Sequence, residues 1–121
     1  MPDTVGFTDA LTTITEGWNS GDRTKFISGY EKLGSGEVRL ENPVGSEVQN
    51  GLDNLATLFD NHHPHIRVET ERLIVNGNEA VAVMRNVRIG ADGDGPTVHS
   101  VETYRVDPDG SVLVRFFSPN A

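Results

Sequence analysis

The chain has 121 residues, a formal net charge of −8 and no cysteine. This length fits one domain, so we expect residues 1–121 to fold as a single unit, and the lack of cysteine excludes disulfides and thiolate chemistry. The acidic balance argues against nucleic-acid and membrane partners, because nucleic-acid grooves and anionic membrane surfaces attract lysine and arginine.

The first helix is predicted over residues 8–19, where apolar residues recur every three or four positions. Thr8 or Asp3 is expected to cap this helix, and Gly21 is expected to end it. The apolar stripe consists of Phe7, Leu11, Ile14 and Trp18.

Two more helices are predicted before the chain changes to a strand pattern. Asp22 is expected to cap the second helix and residues 34–36 to stop it, with inward side chains from Phe26, Ile27, Tyr30 and Leu33. A third helix is expected to begin at Gly51 and to end before Pro64, because proline cannot continue the backbone hydrogen bonds. Its inward side chains are Leu55, Leu58 and Phe59.

Period-two patterns predict the strands. One strand ends at Asn42, between the second and third helices. Asn76 and Gly77 form a strong hairpin signal, residues 90–96 are expected to be an exposed loop, and residues 107–110 form another turn. The second of the later strands is apolar on both faces in its first half, so we expect it to be central. These later strands cover residues 66–75, 80–89, 97–106 and 112–117.

This order predicts an α+β domain. We expect a cone-shaped, curved antiparallel sheet with about three N-terminal helices packed on its concave face. The helices cannot cover the sheet completely, so the cone should have an open mouth, which is a usual place for a ligand. No apolar run approaches the roughly 20 residues of a membrane span, and no signal peptide is evident, so the sequence predicts a soluble, cytoplasmic protein.

Asn42 is the first candidate for the interior of the cone. It shares its strand parity with Val38, Leu40 and Val44, so the alternation predicts that its amide points to the apolar side. A buried amide needs hydrogen-bond partners, so we expect Asn42 to do more than fill space in the core.

Glu102 is the second candidate. The even positions of its strand, which include Ser100 and Tyr104, carry more apolar bulk than the odd ones, so Glu102 is expected on the inner face. Burial there would raise the pKa of its carboxyl and suit it to move protons near neutral pH. If the strand lies at an edge or its faces are reversed, Glu102 stays in water. Tyr104 and Tyr30 are candidate hydroxyl donors, and Tyr104 is favoured because it lies two residues from Glu102.

Several other polar groups are better explained by the surface than by a site. The histidines at 62, 63 and 65 crowd together, but Pro64 interrupts them, so we expect a solvated helix end and no metal. His99 is expected outside the pocket. Glu69 and Glu71 share the parity of Leu73 and Val75, which leaves open that one of them faces inward, but a surface charge pair is favoured. No cofactor motif is found.

Four segments of the chain resemble the ketosteroid isomerase (steroid delta-isomerase) family, within the NTF2-like and SnoaL-like superfamily. They are residues 19–22 (NSGD), residues 41–47 (ENPVGSE) followed by Gly51, residues 78–80 (NEA) and residues 97–104. The resemblance implies a steroid-sized apolar pocket and a homodimer formed through the sheet.

The same resemblance assigns residues to the family's catalytic positions. The carboxylate base falls on Asn42, the oxyanion-hole tyrosine on Ile14, a supporting tyrosine on Phe59 and the protonated acid on Glu102. The family reaction needs both the base and the tyrosine. An amide cannot act as that base and isoleucine has no hydroxyl, so the standard steroid isomerisation is not expected.

Three functions remain open. In the first, Glu102 moves a proton and Asn42, with Tyr104 nearby, holds a carbonyl or hydroxyl during isomerisation, dehydration or cyclisation of a steroid- or polyketide-like molecule. In the second, the same pocket binds an apolar ligand without chemistry. In the third, a dimeric interaction is the function. The expected ligand-binding residues, each of which could equally be core, are Ile14, Trp18, Phe26, Tyr30, Phe59, Met84 and Phe116.

Overall fold

The computed structural model describes residues 4–117. Three α-helices precede most of the sheet: α1 (Thr4–Ser20), α2 (Arg23–Glu31) and α3 (Gly51–His62), the last followed by a short 3-10 turn (His63–His65). The strands are β1 (Val38–Glu41), β2 (Gln49–Asn50), β3 (Ile66–Asn76), β4 (Glu79–Gly90), β5 (Gly93–Val106) and β6 (Val112–Phe117).

The strands form one curved, unclosed sheet in the order β2-β1-β6-β5-β4-β3. The last four strands make the predicted antiparallel meander. Strand β1 pairs in parallel with β6, on the side of β6 that does not face β5. The buried core lies between the helices and one face of this sheet. The predicted α+β fold is therefore confirmed. Within residues 4–117, no helix is long and apolar enough to cross a membrane.

The predicted apolar stripe of α1 is buried, but the helix begins at Thr4. Thr8 consequently lies inside the helix, and its predicted capping position is wrong; Asp3 lies outside the described residues. The helix ends at Ser20, and Gly21 follows it with a positive φ of 72°, as predicted. Asp22 then accepts a hydrogen bond from the Lys25 backbone N–H at 3.0 Å and caps α2 as predicted.

Two glycines let α1 and α2 cross at short distance. A Cβ atom on Gly17 would lie 2.3 Å from the backbone nitrogen of Phe26, and one on Gly29 would lie 2.5 Å from Cγ1 of Ile14. Neither position has room for a side chain. This close crossing sets where Ile14 and Phe26 stand above the sheet.

Side chains at the end of α1 tie the helix to the edge strand β3. The indole Nε1 of Trp18 donates a hydrogen bond to the carbonyl of Ile66 at 2.7 Å. The amide of Asn19 donates to the carbonyl of Val68 at 2.8 Å and accepts from its N–H at 2.9 Å. The helix end and the sheet edge are thereby fixed relative to each other.

Strand β3 changes face at one position. Thr70 pairs with Met84 and Arg72 with Val83, which leaves Glu71 as an extra, bulged residue. A bulge shifts the alternation by one residue. Ile66 and Val68 accordingly pack on the core before the bulge, and Leu73 and Val75 pack on it afterwards. Glu71 itself is exposed.

The expected loop at residues 90–96 is instead a tight hairpin. Gly90 pairs with Gly93, so β4 runs on to the turn and β5 begins directly after it. Gly93 has a φ of 104°, a conformation that glycine adopts without steric cost. The prediction of a loop was wrong, although the segment is exposed as expected.

The central position predicted for the second meander strand is confirmed, since β4 lies between β3 and β5. Its inner face carries the buried Ala80, Ala82 and Met84. Its other face is exposed in the first half of the strand, where Val81 is 37% exposed and its β3 neighbour Ile74 is 49% exposed, whereas Val87 further along that face is 4% exposed. Apolar character on both faces therefore does not mean burial on both faces of this chain.

Candidate functional site

A cavity of about 490 Å³ lies between the helices and the concave face of the sheet. Small-molecule sites in proteins usually have volumes of about 300–1,000 Å³. The helices contribute Ile14, Thr15, Trp18, Phe26, Tyr30, Leu58 and His62. The sheet and its connections contribute Asn42, Ile66, Val68, Met84, Asn86, Arg88, Pro96, Val98, Ser100, Glu102, Phe116 and Phe117.

The structure brings most of the expected ligand-binding residues to this cavity. Those that border it are Ile14, Trp18, Phe26, Tyr30, Met84 and Phe116. Phe59 is the exception and corrects the sequence-based list: it is 2% exposed and lies behind Phe26, with ring centroids 5.2 Å apart, and stacks on His63 at 4.1 Å. That the bordering residues touch a ligand stays a prediction.

Glu102 borders the cavity from β5, on the face that its strand alternation predicted. Its neighbours on β4 and β6 are Ala82 and Phe116. The methyl group of Ala82 leaves space beside the carboxyl, and Ser100 lies two residues before Glu102 on the same face. Burial disfavours the charged form and raises the pKa of Glu102 to about 7, while a hydrogen bond from Tyr104 opposes this rise.

Tyr104 stands behind Glu102 and does not border the cavity. It is 1% exposed, and its hydroxyl donates a hydrogen bond to Oε2 of Glu102. The structure therefore corrects the expected direct contact of Tyr104 with a ligand: from this position it can orient the carboxyl. Tyr30 is the tyrosine that borders the cavity. Burial and the charge of Glu102 raise the pKa of Tyr30 well above its ordinary value, so its hydroxyl remains a donor.

Asn42 reaches the cavity from just beyond β1. The strand ends at Glu41, one residue before the predicted end, and Asn42 is exposed instead of being buried. Its segment is held against β6: Glu41 Oε1 accepts a hydrogen bond from Nε of Arg115 at 2.6 Å, and the Val44 N–H donates to the Phe116 carbonyl at 2.9 Å. The amide and the Glu102 carboxyl thus border one cavity, the first from just beyond β1 and the second from β5.

Sequence reasoning missed the polar rim formed by His62, Asn86 and Arg88. A signal for two of them was present, because Asn86 and Arg88 share the parity of Met84 in β4. The amide of Asn86 donates to the Val98 carbonyl at 3.0 Å and to the Ser100 hydroxyl at 2.8 Å. It is thereby fixed in the cavity wall.

The histidines and outer acidic residues have other partners. Nδ1 of His63 lies 2.8 Å from the Phe59 carbonyl, and in the part of the chain that the structure describes no group of acidic, histidine or cysteine side chains is arranged to hold a metal. His99 pairs with the bulged Glu71 at 3.0 Å, outside the cavity as predicted. Glu69 pairs with Arg85 at 3.1 Å and is likewise a surface charge.

The arrangement can support proton transfer. Among the described residues that border the cavity, Glu102 is the one carboxyl group. A carboxyl with a pKa of about 7 can both accept and return a proton near neutral pH. The Asn42 amide can donate to a carbonyl oxygen or accept from a hydroxyl.

The sequence matches the family described as SnoaL-like domain over residues 11–115. None of the curated proteins matches it. The fold is similar to that of SalBIII, described as an epoxide hydrolase/cyclase-like enzyme in pyran ring formation in the polyether salinomycin, at a TM-score of 0.74 and 16% identity over 98% of this chain and 95% of that one.

Two mycobacterial structures are similar as well. One is Rv0760c from Mycobacterium tuberculosis in complex with estradiol-17β-hemisuccinate, at a TM-score of 0.70 and 19% identity over 94% of each chain. The other is the Δ5-3-ketosteroid isomerase from Mycobacterium sp., at a TM-score of 0.68 and 23% identity over 94% of this chain and 93% of that one. At these identities the likeness establishes the shared fold.

Proposed function

Since the chain belongs to the SnoaL-like domain family, we propose that its cavity binds a small apolar molecule of the steroid or polyketide type. The volume of about 490 Å³ and the aromatic lining from Trp18, Phe26 and Phe116 support this ligand class. Similar folds that are associated with a steroid conjugate and with polyether ring formation favour the same class.

The proposed activity is proton transfer by Glu102. The ionised carboxylate takes a proton from a carbon next to a ketone, and the electron pair moves to the carbonyl oxygen. The Asn42 amide donates a hydrogen bond to that oxygen. The protonated Glu102 then returns the proton at another position, so that the step is balanced without a co-reactant. Isomerisation uses this step as written, while dehydration and aldol-type cyclisation begin with the same proton removal and return the proton to a leaving or newly formed hydroxyl oxygen. The placement of the Glu102 carboxyl on the cavity wall is the observation that carries the proposal, and its pKa of about 7 supports it.

This activity differs from standard steroid delta-isomerisation in how the groups are assigned. The family resemblance assigns the base position to Asn42 and the oxyanion-hole tyrosine to Ile14, which borders the cavity but has no hydroxyl. Loss of one oxyanion-hole donor typically costs about 3 kcal/mol of barrier. We therefore expect little turnover of ordinary 5-ene-3-ketosteroids.

A second candidate is binding without chemistry. Two observations favour it. Glu102 is the one carboxyl group among the described lining residues, and this carboxyl is already hydrogen-bonded to Tyr104. On this proposal Glu102 stays protonated and donates to a ligand oxygen. The homodimer, the interaction function and the cytoplasmic location expected from the sequence all stay predictions.

The test measures binding and proton transfer separately. Ketosteroids and polycyclic ketones are first screened by thermal shift, and exchange of protons next to the ketone is then followed by NMR in D2O. We expect Glu102→Gln to retain binding but to slow exchange by roughly 100-fold. Glu79→Gln, the same chemical change at an exposed residue away from the cavity, should leave exchange unchanged.

The outcomes separate the two candidates. Binding with exchange that depends on Glu102 supports the catalytic proposal. Binding with no exchange above the solvent rate supports the binding module and contradicts catalysis on these ketones. If none of the ligands stabilises the protein, the pocket function itself is contradicted.

A further inference from the structure

The cavity has a chemically different end at its mouth. Glu102 lies opposite Ala82 of β4, while Arg88 lies six residues further along the same strand. At about 3.3 Å per residue the two backbone positions are about 20 Å apart. Met84 and Asn86 lie between them on the same face, so one wall of the cavity connects a carboxyl to a guanidinium.

Arg88 is also unusual among the basic residues of this chain. Most arginines in residues 4–117 are paired with carboxylates, such as Arg67 with Asp94 at 2.9 Å and Arg115 with Glu41 at 2.6 Å. The structure gives the side chains of Arg88 and Arg72 neither an ion pair nor a hydrogen bond within the described residues. Of these two, Arg88 borders the cavity.

The surroundings of Arg88 suit an anion. The described residues that border the cavity include no lysine and no other arginine, and the nearest carboxyl in this lining is Glu102, at the other end. Ile66, the β3 neighbour of Arg88, directly follows the turn after α3, which brings the exposed His62 to the same rim. A guanidinium recognises a carboxylate with two parallel hydrogen bonds, which gives both affinity and orientation.

Resting on the proposed apolar pocket, we infer that the ligand carries a carboxylate at the end remote from its ketone, and that Arg88 binds this carboxylate at the cavity mouth. The ketone end then lies beside Glu102 and Asn42, and the apolar body lies against Met84 and Phe116. The anionic end would choose between the two ways in which an elongated apolar molecule can enter the cavity. An acidic protein of net charge −8 repels anions at long range, so a local cation is needed to select one.

A matched pair of probes tests this inference. The acid 3-oxo-5β-cholan-24-oic acid carries a ketone and a carboxylate at opposite ends, and its methyl ester has the same steroid body with an uncharged, slightly larger end. Binding is followed by the fluorescence of Trp18, the one tryptophan of the chain, which borders the cavity. We expect the acid to bind about fivefold more tightly than the ester, as for an exposed, well-oriented ion pair.

Variants locate the preference. Arg88→Gln should remove the difference between acid and ester. Arg72→Gln is the matched control, because Arg72 is equally unpaired but does not border the cavity. Raising the salt concentration from about 0.05 M to about 0.5 M should reduce the preference of the unmodified protein, because salt screens exposed charges.

The outcomes distinguish this inference from the function on which it rests. Equal binding of acid and ester, or equal effects of Arg88→Gln and Arg72→Gln, overturns the carboxylate site and leaves the apolar pocket intact. If neither probe binds, both the carboxylate site and the proposed pocket are contradicted. Loss of the acid preference in Arg88→Gln alone supports the site.

Discussion

The carboxyl of Glu102 has neighbours with opposing effects on its ionisation. The apolar surroundings between β4 and β6 disfavour its charge, whereas the Tyr104 hydroxyl donates to the charged form. The first effect is larger and leaves the pKa of Glu102 at about 7. The residue consequently changes charge in the pH range where proton transfer is useful.

Glu102 should make the stability of the protein depend on pH. Its carboxyl has a pKa of about 7 in the folded chain and an ordinary value of 4.5, so the folded state binds more protons between these values. The free energy of unfolding should therefore fall as the pH rises from 4.5 to about 7. We expect a loss of about 2 kcal/mol, since the cavity is open to water and a sealed site would give about 3.

Urea unfolding at several pH values measures this loss. Glu102→Gln should flatten the dependence in this range, and Glu79→Gln should retain it. An equally steep loss in Glu102→Gln would show that other groups cause it.

The same ionisation predicts the pH profile of activity. If Glu102 removes the proton as its carboxylate, kcat/KM for the exchange reaction should rise with pH and level off above about 7. A profile that falls through this pH instead would assign Glu102 the function of a protonated donor. The profile in Glu102→Gln serves as the control, because the inflection should be absent from any residual exchange.

Asn42 offers a gain-of-function test. Asn42→Asp places a carboxylate at the same cavity, at the position that the family resemblance assigns to the base. We expect exchange on a 5-ene-3-ketosteroid to increase by roughly 100-fold. Asn61→Asp makes the same change at an exposed position of α3 and should have no effect on the exchange rate. An unchanged rate in Asn42→Asp would mean that this segment holds the side chain out of reach of the substrate.

At the scale of the elements, the crossing of α1 and α2 determines the roof of the cavity. Gly17 lets α1 approach the Phe26 backbone, and Gly29 lets α2 approach the Ile14 side chain. Ile14 and Phe26, which the same helices carry into the cavity, depend on that distance.

Gly17→Ala should therefore destabilise the protein. The new methyl group would meet the Phe26 backbone at 2.3 Å and force the helices apart. We expect a cost of about 2 kcal/mol, less what alanine gains in helix propensity, measured by urea unfolding. Gly90→Ala is the control, since its nearest contact is an ordinary 3.5 Å. Equal stability of the two variants would contradict a tight crossing.

The sequence predicted most elements because their signals are local. The hairpin at Gly77, the cap at Asp22 and the parity of Glu102 each depend on a few neighbouring residues. The bulge at Glu71 could not be predicted, because it depends on register with β4, and this register sets the inward face of the second half of β3. The failure at Phe59 has a similar cause: helical spacing predicts burial but does not distinguish the core from a cavity wall.

At the scale of the whole molecule, the sheet is covered by helices on one side. The outer sheet face, defined by Ile74, Val81, Val83 and Val101, has no covering element within residues 4–117. Ile74 and Val81 are 49% and 37% exposed. An apolar surface of this kind fits the homodimer expected from the family resemblance, which stays a prediction.

Sedimentation velocity over a range of concentrations tests the homodimer. Val81→Lys would bury a charge in such an interface, so we expect it to weaken dimerisation at least about tenfold. Thr24→Lys adds the same charge at an exposed position of α2 and should leave the association unchanged. A monomer at all concentrations, or equal association of both variants, would contradict a dimer through this face.

The bonds from Trp18 and Asn19 to β3 have a consequence for self-association. β3 is the last strand of an open sheet, and an outermost strand offers its free amides and carbonyls to any passing chain. The indole and amide side chains occupy these groups at Ile66 and Val68. If the first helix frays, the cavity loses one wall and the edge of β3 becomes free to pair with other chains in a single event. Ligands that stabilise this helix should therefore also delay aggregation.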